Sequence, residues 1–203
     1  MGVYTTINDP SAYFHIQLYN GNGGANTITN NANAGNFQPD WTWIKERGGS
    51  SSHQLFDSSR GDKVLYSDSA VAEDTTNYFT ENTNGFTLAA NNGINQNGIN
   101  NVAWQWKCNG GTTATNTDGA TNGYNTTVQA NQTAGFSIVQ WNAAFDQGNG
   151  RYNLGHGLGK TADFIIIKNR SSSGDWYVHH KDIDDNDYLR LNLNNATSNT
   201  SAR

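Results

Sequence analysis

Six tryptophans, a run of four aspartates and only three glutamates are the residues of this chain best suited to binding or chemistry. Trp41, Trp43, Trp104, Trp106, Trp141 and Trp176 offer flat apolar faces. The C–H groups of a sugar ring pack on such faces while Asn and Asp side chains take its hydroxyls. Trp41/Trp43 and Trp104/Trp106 are each spaced two apart, so on a strand both partners of a pair share one side. Carbohydrate binding is therefore expected at Trp41, Trp43, Trp104, Trp106 and Trp176. Packing is the competing role, because five of the six fall on predicted strands whose alternate residues face inward.

Lys181-Asp-Ile-Asp-Asp-Asn-Asp187 is the densest acidic stretch. Asp182, Asp184, Asp185 and Asp187 carry the carboxylate oxygens that Ca2+ prefers. The stretch lacks the glycine and distal glutamate of an EF-hand loop, and a solvated hairpin turn competes with a metal site. Catalysis by a retaining glycosidase needs two carboxylates about 5 to 5.5 Å apart, commonly from one strand face. Glu46, Glu73 and Glu81 each fall at a strand end or in a loop, and no acidic pair alternates within an apolar strand. His53, Asp57 and Ser58 lack the Gly-x-Ser-x-Gly elbow of a hydrolase, and Asp57 is expected instead to fix a turn with Arg60. No catalytic residue is assigned. Arg60-Gly61-Asp62 reads as a turn, and the Asn-x-Thr/Ser sequons as chance in an Asn/Thr-rich chain.

The elements that must position these residues are legible from composition. The 203 residues are 14% charged and 34% hydrophobic, with 22 Gly and 2 Pro. Short strands joined by Asn/Gly turns fit this balance, and leucine-rich helical stripes are absent. A net charge of −5 with scattered basic residues argues against a nucleic-acid partner. No stretch reaches the roughly 18 apolar residues of a membrane span, so membrane insertion is not expected. Cys108 is the single cysteine, which excludes an intrachain disulfide and a cysteine metal cluster and leaves a buried thiol.

The chain repeats itself. Asp40-Trp-Thr-Trp-Ile-Lys-Glu-Arg47, a Ser/Gly loop and His53-Gln-Leu-Phe-Asp57 return as Asp163-Phe-Ile-Ile-Ile-Lys-Asn-Arg170, another Ser/Gly loop and Trp176-Tyr-Val-His-His180. Phe14 to Asn20 echoes Phe136 to Asn142, and Val64 to Asp68 echoes Tyr188 to Asn192. A fixed offset over consecutive segments indicates a duplicated strand-rich unit. The expected division is a first β repeat over 1–110, a polar linker or long loop over 111–134, and a second, shorter β repeat over 135–203. Nothing after Arg203 corresponds to Gly85-Phe-Thr-Leu88 or Val102-Ala-Trp-Gln-Trp-Lys107. The strands of the second repeat are therefore expected to be covered by another chain, by further sequence or by the first repeat.

Alternation places Phe14, Ile16 and Leu18 on one face of a first strand, and Trp41 and Trp43 opposite Thr42 and Ile44 on another. Asn20 to Asn36 reads as a surface excursion too polar to pack, Ser69 to Thr76 as the one place for a helical turn, and the three isoleucines 165–167 as a strand buried on both faces. Many short strands with polar turns predict an all-β sandwich or jelly roll.

Pro39-Asp-Trp-Thr-Trp-Ile-Lys45, His53-Gln-Leu-Phe-Asp-Ser-Ser-Arg-Gly61, Asn84-Gly-Phe-Thr-Leu88, Val102-Ala-Trp-Gln-Trp-Lys107 and Gly155-His-Gly-Leu-Gly159 before Phe164-Ile-Ile-Ile-Lys-Asn-Arg170 together resemble repeats of marine phage and cyanophage virion proteins. The resemblance spans about Tyr4 to Thr200. It implies a concanavalin A-like jelly-roll β-sandwich in a tail or fibre protein on the virion exterior, with other virion proteins, self-association and a host surface glycan as partners. It carries over no ligand residues. Three functions follow as expectations: a non-catalytic virion protein with lectin-like glycan recognition in host attachment, a purely structural capsid or tail decoration subunit, and, by fold analogy alone, a glycan-degrading enzyme. No cofactor is expected beyond the Ca2+ considered above.

Overall fold

The computed structural model describes residues 7–31, 36–91, 93–118, 125–142 and 153–199. The chain is all-β, and its sheets are antiparallel throughout. After a 3-10 turn at Pro10–Ala12 the strands are β1 Phe14–Asn20, β2 Asn26–Thr29, β3 Trp41–Glu46, β4 Gln54–Asp57, β5 Lys63–Tyr66, β6 Asp74–Thr75, β7 Phe79–Asn82, β8 Gly85–Leu88 and β9 Asn100–Trp106. The second part holds β10 Ala114–Asn116, β11 Thr126–Asn131, β12 Phe136–Gln140, β13 Phe164–Ile167, β14 Tyr177–His180, β15 Asp187–Arg190 and β16 Ser198–Asn199.

The first unit is a sandwich. A six-stranded sheet in the order β1-β9-β3-β4-β5-β6 lies against a three-stranded sheet in the order β2-β8-β7. Alternation separates the two sides of each strand as expected: Thr42 and Ile44 of β3 point inward and are buried, whereas Trp41 and Trp43 share the outer side and are half-buried. Ile44, Phe56, Val64 and Ala103 from the larger sheet meet Ile28, Phe79, Phe86 and Leu88 from the smaller. Phe56 and Phe79 stack with ring centroids 4.0 Å apart, and Phe79 continues onto Phe86 at 5.3 Å. Burying each of these rings contributes roughly 2 to 3 kcal/mol. Gly85 joins β7 to β8 at φ +103, where a Cβ would collide with the Ile28 carbonyl oxygen.

The repeat is a repeat of register. β3 pairs with β4 as Trp41↔Asp57, Thr42↔Phe56, Trp43↔Leu55 and Ile44↔Gln54. β13 pairs with β14 as Phe164↔His180, Ile165↔His179, Ile166↔Val178 and Ile167↔Tyr177, an offset of 123 at every position. One added residue before the third strand makes the offset 124, so Lys63↔Thr75 and Val64↔Asp74 return as Asp187↔Asn199 and Tyr188↔Ser198. The sheet β13-β14-β15-β16 thus copies β3-β4-β5-β6. The echo of β1 in β12 is one of sequence only: β1 pairs with β9, whereas β12 forms a three-stranded sheet with β11 and β10.

The second sheet packs onto the outer side of the first unit through Trp176 and Ile166, which meet Leu55, Leu65, Trp41 and Trp43. Ion pairs and a strap reinforce this junction. Arg60 bonds Asp57 and Glu73, and Glu73 also takes Nε and Nη2 of Arg170 at 2.7 and 3.0 Å. The Ser69 to Thr76 segment is that strap rather than a helical turn, because its backbone is spent on the second unit: Gly174 N–H donates to the Ala70 carbonyl and Glu73 N–H to that of Arg170.

Three other expectations are corrected. Asn20 to Asn36 is not wholly a surface excursion, since Asn26–Thr29 forms β2 and its one large aliphatic residue, Ile28, is driven into the core. The 111–134 stretch is not a free linker, because it carries β10 and all of β11, whose Thr126, Val128 and Gln129 are buried. The isoleucine run is not buried on both faces: Ile166 packs at the junction, while Ile165 and Ile167 remain 38% and 39% exposed. A continuous apolar run reports burial only when something covers each face, and here only one face is covered.

Candidate functional site

The outer side of the six-stranded sheet carries an aromatic face built by strict alternation. Across β1, β9 and β3 the register stacks Phe14, Trp106 and Trp41 in one row, Ile16, Trp104 and Trp43 in the next, and Leu18, Val102 and Lys45 in the third. Trp41 lies 4.8 Å from Trp106 and 6.0 Å from Trp43, and Trp43 lies 6.1 Å from Trp104, centroid to centroid. Phe136 of β12 stacks over the first row, at 5.7 Å from Trp41 and 6.2 Å from Trp106. The other two rows are open at their β1 ends, where Ile16 and Leu18 are 48% and 55% exposed, while Trp43 at the β3 end packs at the junction with the second sheet. Four of the five tryptophans expected to bind sugar therefore lie together, and Trp104, flanked by Ile16 and Trp43, is the one least enclosed by other rings.

Polar groups border this face. The Trp43 indole N–H donates to His53 Nδ1 at 3.0 Å, which requires the neutral ring nitrogen. Burial lowers the His53 pKa, Asp68 opposes that shift and Lys45 adds to it, so the neutral acceptor is the favoured form. Lys45 Nζ is held by the carbonyls of Glu46 and Gly49. The arrangement offers apolar stacking surface with a few fixed polar groups at its rim.

Trp176 is corrected. It is buried at the junction, and its indole N–H serves the carbonyls of Tyr66 at 2.8 Å and Ser69 at 3.1 Å, so it is packing rather than a binding surface. The aspartate stretch does not form a cation cage either: among the described residues no three His, Cys, Asp or Glu side chains converge to hold a metal. Asp182 lies 3.5 Å from His180, Asp184 caps its own turn through the Asn186 N–H, and Asp187 takes the Asn199 amide. These three carboxylates are each turned to a different partner. His53, Asp57 and Ser58 also separate, with His53 facing Trp43, Asp57 facing Arg60 and Ser58 facing Asp40. The glutamates stand apart as well: Glu46 accepts from Ser51, Glu73 is clamped by two arginines, and Glu81 lies in β7.

One structural centre had no signal in the sequence beyond its place in the repeat. Asp40 is fully buried, and its carboxylate accepts from Cys108 N–H at 2.6 Å, Gly110 N–H at 3.0 Å, Gly111 N–H at 2.9 Å and the Ser58 hydroxyl at 2.8 Å. Successive backbone N–H groups make an anion nest, here filled by the chain's own side chain. The Gln129 amide completes it, accepting from Asn109 and Gly111 and donating to Ser58 and Ser59. Beside it the Cys108 thiol donates to the Gln129 carbonyl, and burial, helped by Asp40, pushes its pKa up to about 12. A second concavity, of about 430 Å3, opens beyond this loop between Asn109, Thr115, Asn116, Asp118, Gln132 and Gly157.

Residues 9–203 match the family described as a domain of unknown function, DUF7483. The chain belongs to the DUF7483 family. No curated protein and no solved structure matches it. In this DUF7483 member the aromatic face and the buried Asp40 centre both lie outside the sandwich core. Among the described residues no helix is long and apolar enough to cross a membrane.

Proposed function

We propose that this chain is a non-catalytic virion protein of tail or fibre type, with a concanavalin A-like sandwich whose outer aromatic face binds glycan on the host surface. The observation that carries the glycan reading is the row of Ile16, Trp104 and Trp43, open at its Ile16 end, beside the Lys45 and His53 rim. The virion setting rests on the resemblance of the strand motifs to phage repeats, as do self-association and contact with other virion proteins. Weak single sites presented many times on such an appendage gain avidity.

A glycan array followed by calorimetry on a hit tests this reading. Trp104→Ala is expected to weaken binding about tenfold, the equivalent of about 1.4 kcal/mol, measured under conditions where the variant remains folded. Binding that survives loss of Trp104 moves the site elsewhere, and release of reducing sugar from a bound glycan refutes the non-catalytic reading. A purely structural decoration or adaptor role is the second reading, favoured by the uncovered apolar side of β13–β16, and an array with no hit at all supports it.

A further inference from the structure

Two strands of the second part correspond to a pair that a third strand joins in the first. β1 and β3 lie on either side of β9, whereas β12, whose sequence echoes β1, and β13, which copies β3, each stand at the edge of a sheet. Both turn one side to the first unit: Phe136 of β12 stacks on Trp41 at 5.7 Å, and Ile166 of β13 joins Trp41 and Trp43 in the junction cluster. At their C-terminal ends Gln140 accepts from Arg170 Nη1 at 2.6 Å, which ties the two strands together. No strand among the described residues pairs with the edge that either leaves free.

The backbone groups on those edges follow from the ladders. Lys181 N–H donates to the Asp163 carbonyl, so by register residues 165 and 167 bond β14, and Phe164 and Ile166 present N–H and C=O at the open edge. The Cys108 thiol lies between the carbonyls of Gln129 and Phe136, at 2.7 and 3.5 Å, which places the Phe136 carbonyl in the β11–β12 ladder and turns Ser137 and Val139 to the other edge. In the first unit Lys107 N–H donates to Tyr13 and Arg47 N–H to Asn100, so β9 bonds the odd residues of both β1 and β3. Phe14 aligns with Phe136 and Trp41 with Phe164, and these alignments carry His15 and Gln17 to Ser137 and Val139, and Trp43 to Ile166. The groups left unbonded in the second part are therefore the counterparts of those that β9 bonds in the first.

The side chains agree. Trp106 of β9 stands between Phe14 and Trp41, 4.8 Å from each. Phe136 and Phe164 hold the corresponding places, and Phe164 is 56% exposed although it shares its side of β13 with Ile166. We propose that β12 and β13 receive between them one extended strand from outside this chain, antiparallel to both, with an aromatic side chain at the place of Trp106 and a second large apolar one at that of Trp104. Main-chain hydrogen bonds supply the affinity of such strand addition, and alternate side chains its specificity. A strand bonded along both edges cannot also belong to another sheet, so the donor is a free extended segment and not a sheet edge of a second copy. The proposal is independent of the glycan reading.

The probe is a capped peptide of this chain's own residues 99–107, which carries Val102, Trp104 and Trp106 in the required alternation. It is titrated into the isotopically labelled full chain and followed by NMR and amide hydrogen exchange. Saturable one-to-one binding is expected, with new protection at the amides of Ser137, Val139, Phe164 and Ile166. A peptide N-methylated at Trp104 loses a donor to β13 and should bind about tenfold more weakly or worse, as should a Trp106→Ala peptide, and neither change touches the protein. Phe164→Pro removes a donor from the open edge at the first residue of β13, where proline is tolerated, and should weaken the parent peptide similarly with thermal unfolding nearly unchanged. Absence of saturable binding, equal binding of the N-methylated peptide, or protection confined to β1 and β3 overturns the proposal. So does a dimer in light scattering that Phe164→Pro dissociates, because a second copy then occupies the edge.

Discussion

Replacing Asp40 by Asn alters the shape of the side chain hardly at all, yet it should be among the more damaging substitutions in the chain. Every group around the carboxylate is used as a donor: Cys108, Gly110 and Gly111 N–H, the Ser58 hydroxyl and the Gln38 amide. An asparagine must set its own NH2 against one side of this ring whichever way it is flipped. Some donors have recourse, since Gly111 also reaches Gln129 Oε1 at 2.8 Å, and Gly110 is exposed and can take water. Cys108 N–H is buried and has no second acceptor among the bonds found. One buried donor unpaired costs about 1 to 3 kcal/mol, and losing the charge from the remaining bonds adds to it, for a total of about 3 kcal/mol. For a chain of this length that lowers Tm by roughly 6 to 12 °C. Urea unfolding and thermal scans by circular dichroism read it. Asp40→Ala should cost no more than Asp40→Asn, because the space it leaves can admit water. An asparagine variant within 1 kcal/mol of the parent would refute the all-donor account of this centre.

Two further predictions concern the junction and the sandwich. Glu73→Gln should cost about 1 to 2 kcal/mol, the modest figure reflecting that Arg60 keeps Asp57 and that the Arg170 side chain is 37% exposed. Burial would raise the Glu73 pKa, but the hydrogen bonds and charges of Arg170 and Arg60 outweigh it and hold the native value below the ordinary one. The stabilisation is therefore complete above the ordinary glutamate value of about 4.3 and is lost as pH falls through the lower native value, so the parent's acid-limb slope should be shallower in the glutamine variant. Gly85→Ala should lower stability by about 2 kcal/mol or more in chemical denaturation, because φ +103 and the Ile28 carbonyl both exclude a Cβ. An unchanged midpoint would show that β2 and β8 can part there without loss.

Alternation by itself determined the strands and which residues share a side: Trp41 and Trp43 opposite Thr42 and Ile44, and Phe14, Ile16 and Leu18 together; which side faces the core came only from the structure. Segment-by-segment similarity determined the duplication, down to an offset that the hydrogen-bond register keeps. These properties are local or compare the chain with itself, so they need no knowledge of what lies across a sheet. What covers a face was decided only by tertiary structure. Ile165 and Ile167 read as core and are open, Trp176 reads as a platform and is buried, and Ile28 sits in a polar stretch yet enters the sandwich. The 182–187 stretch reads as either a cation site or a solvated hairpin turn, and Asp182, Asp184 and Asp187 turn to separate partners, because ligand geometry depends on where a loop folds back rather than on how many carboxylates it holds. Asp40 shows the same limit from the other side: its donors are supplied by residues 58 and 108–111, far along the chain, and only the closing of the sheets brings them to one carboxylate.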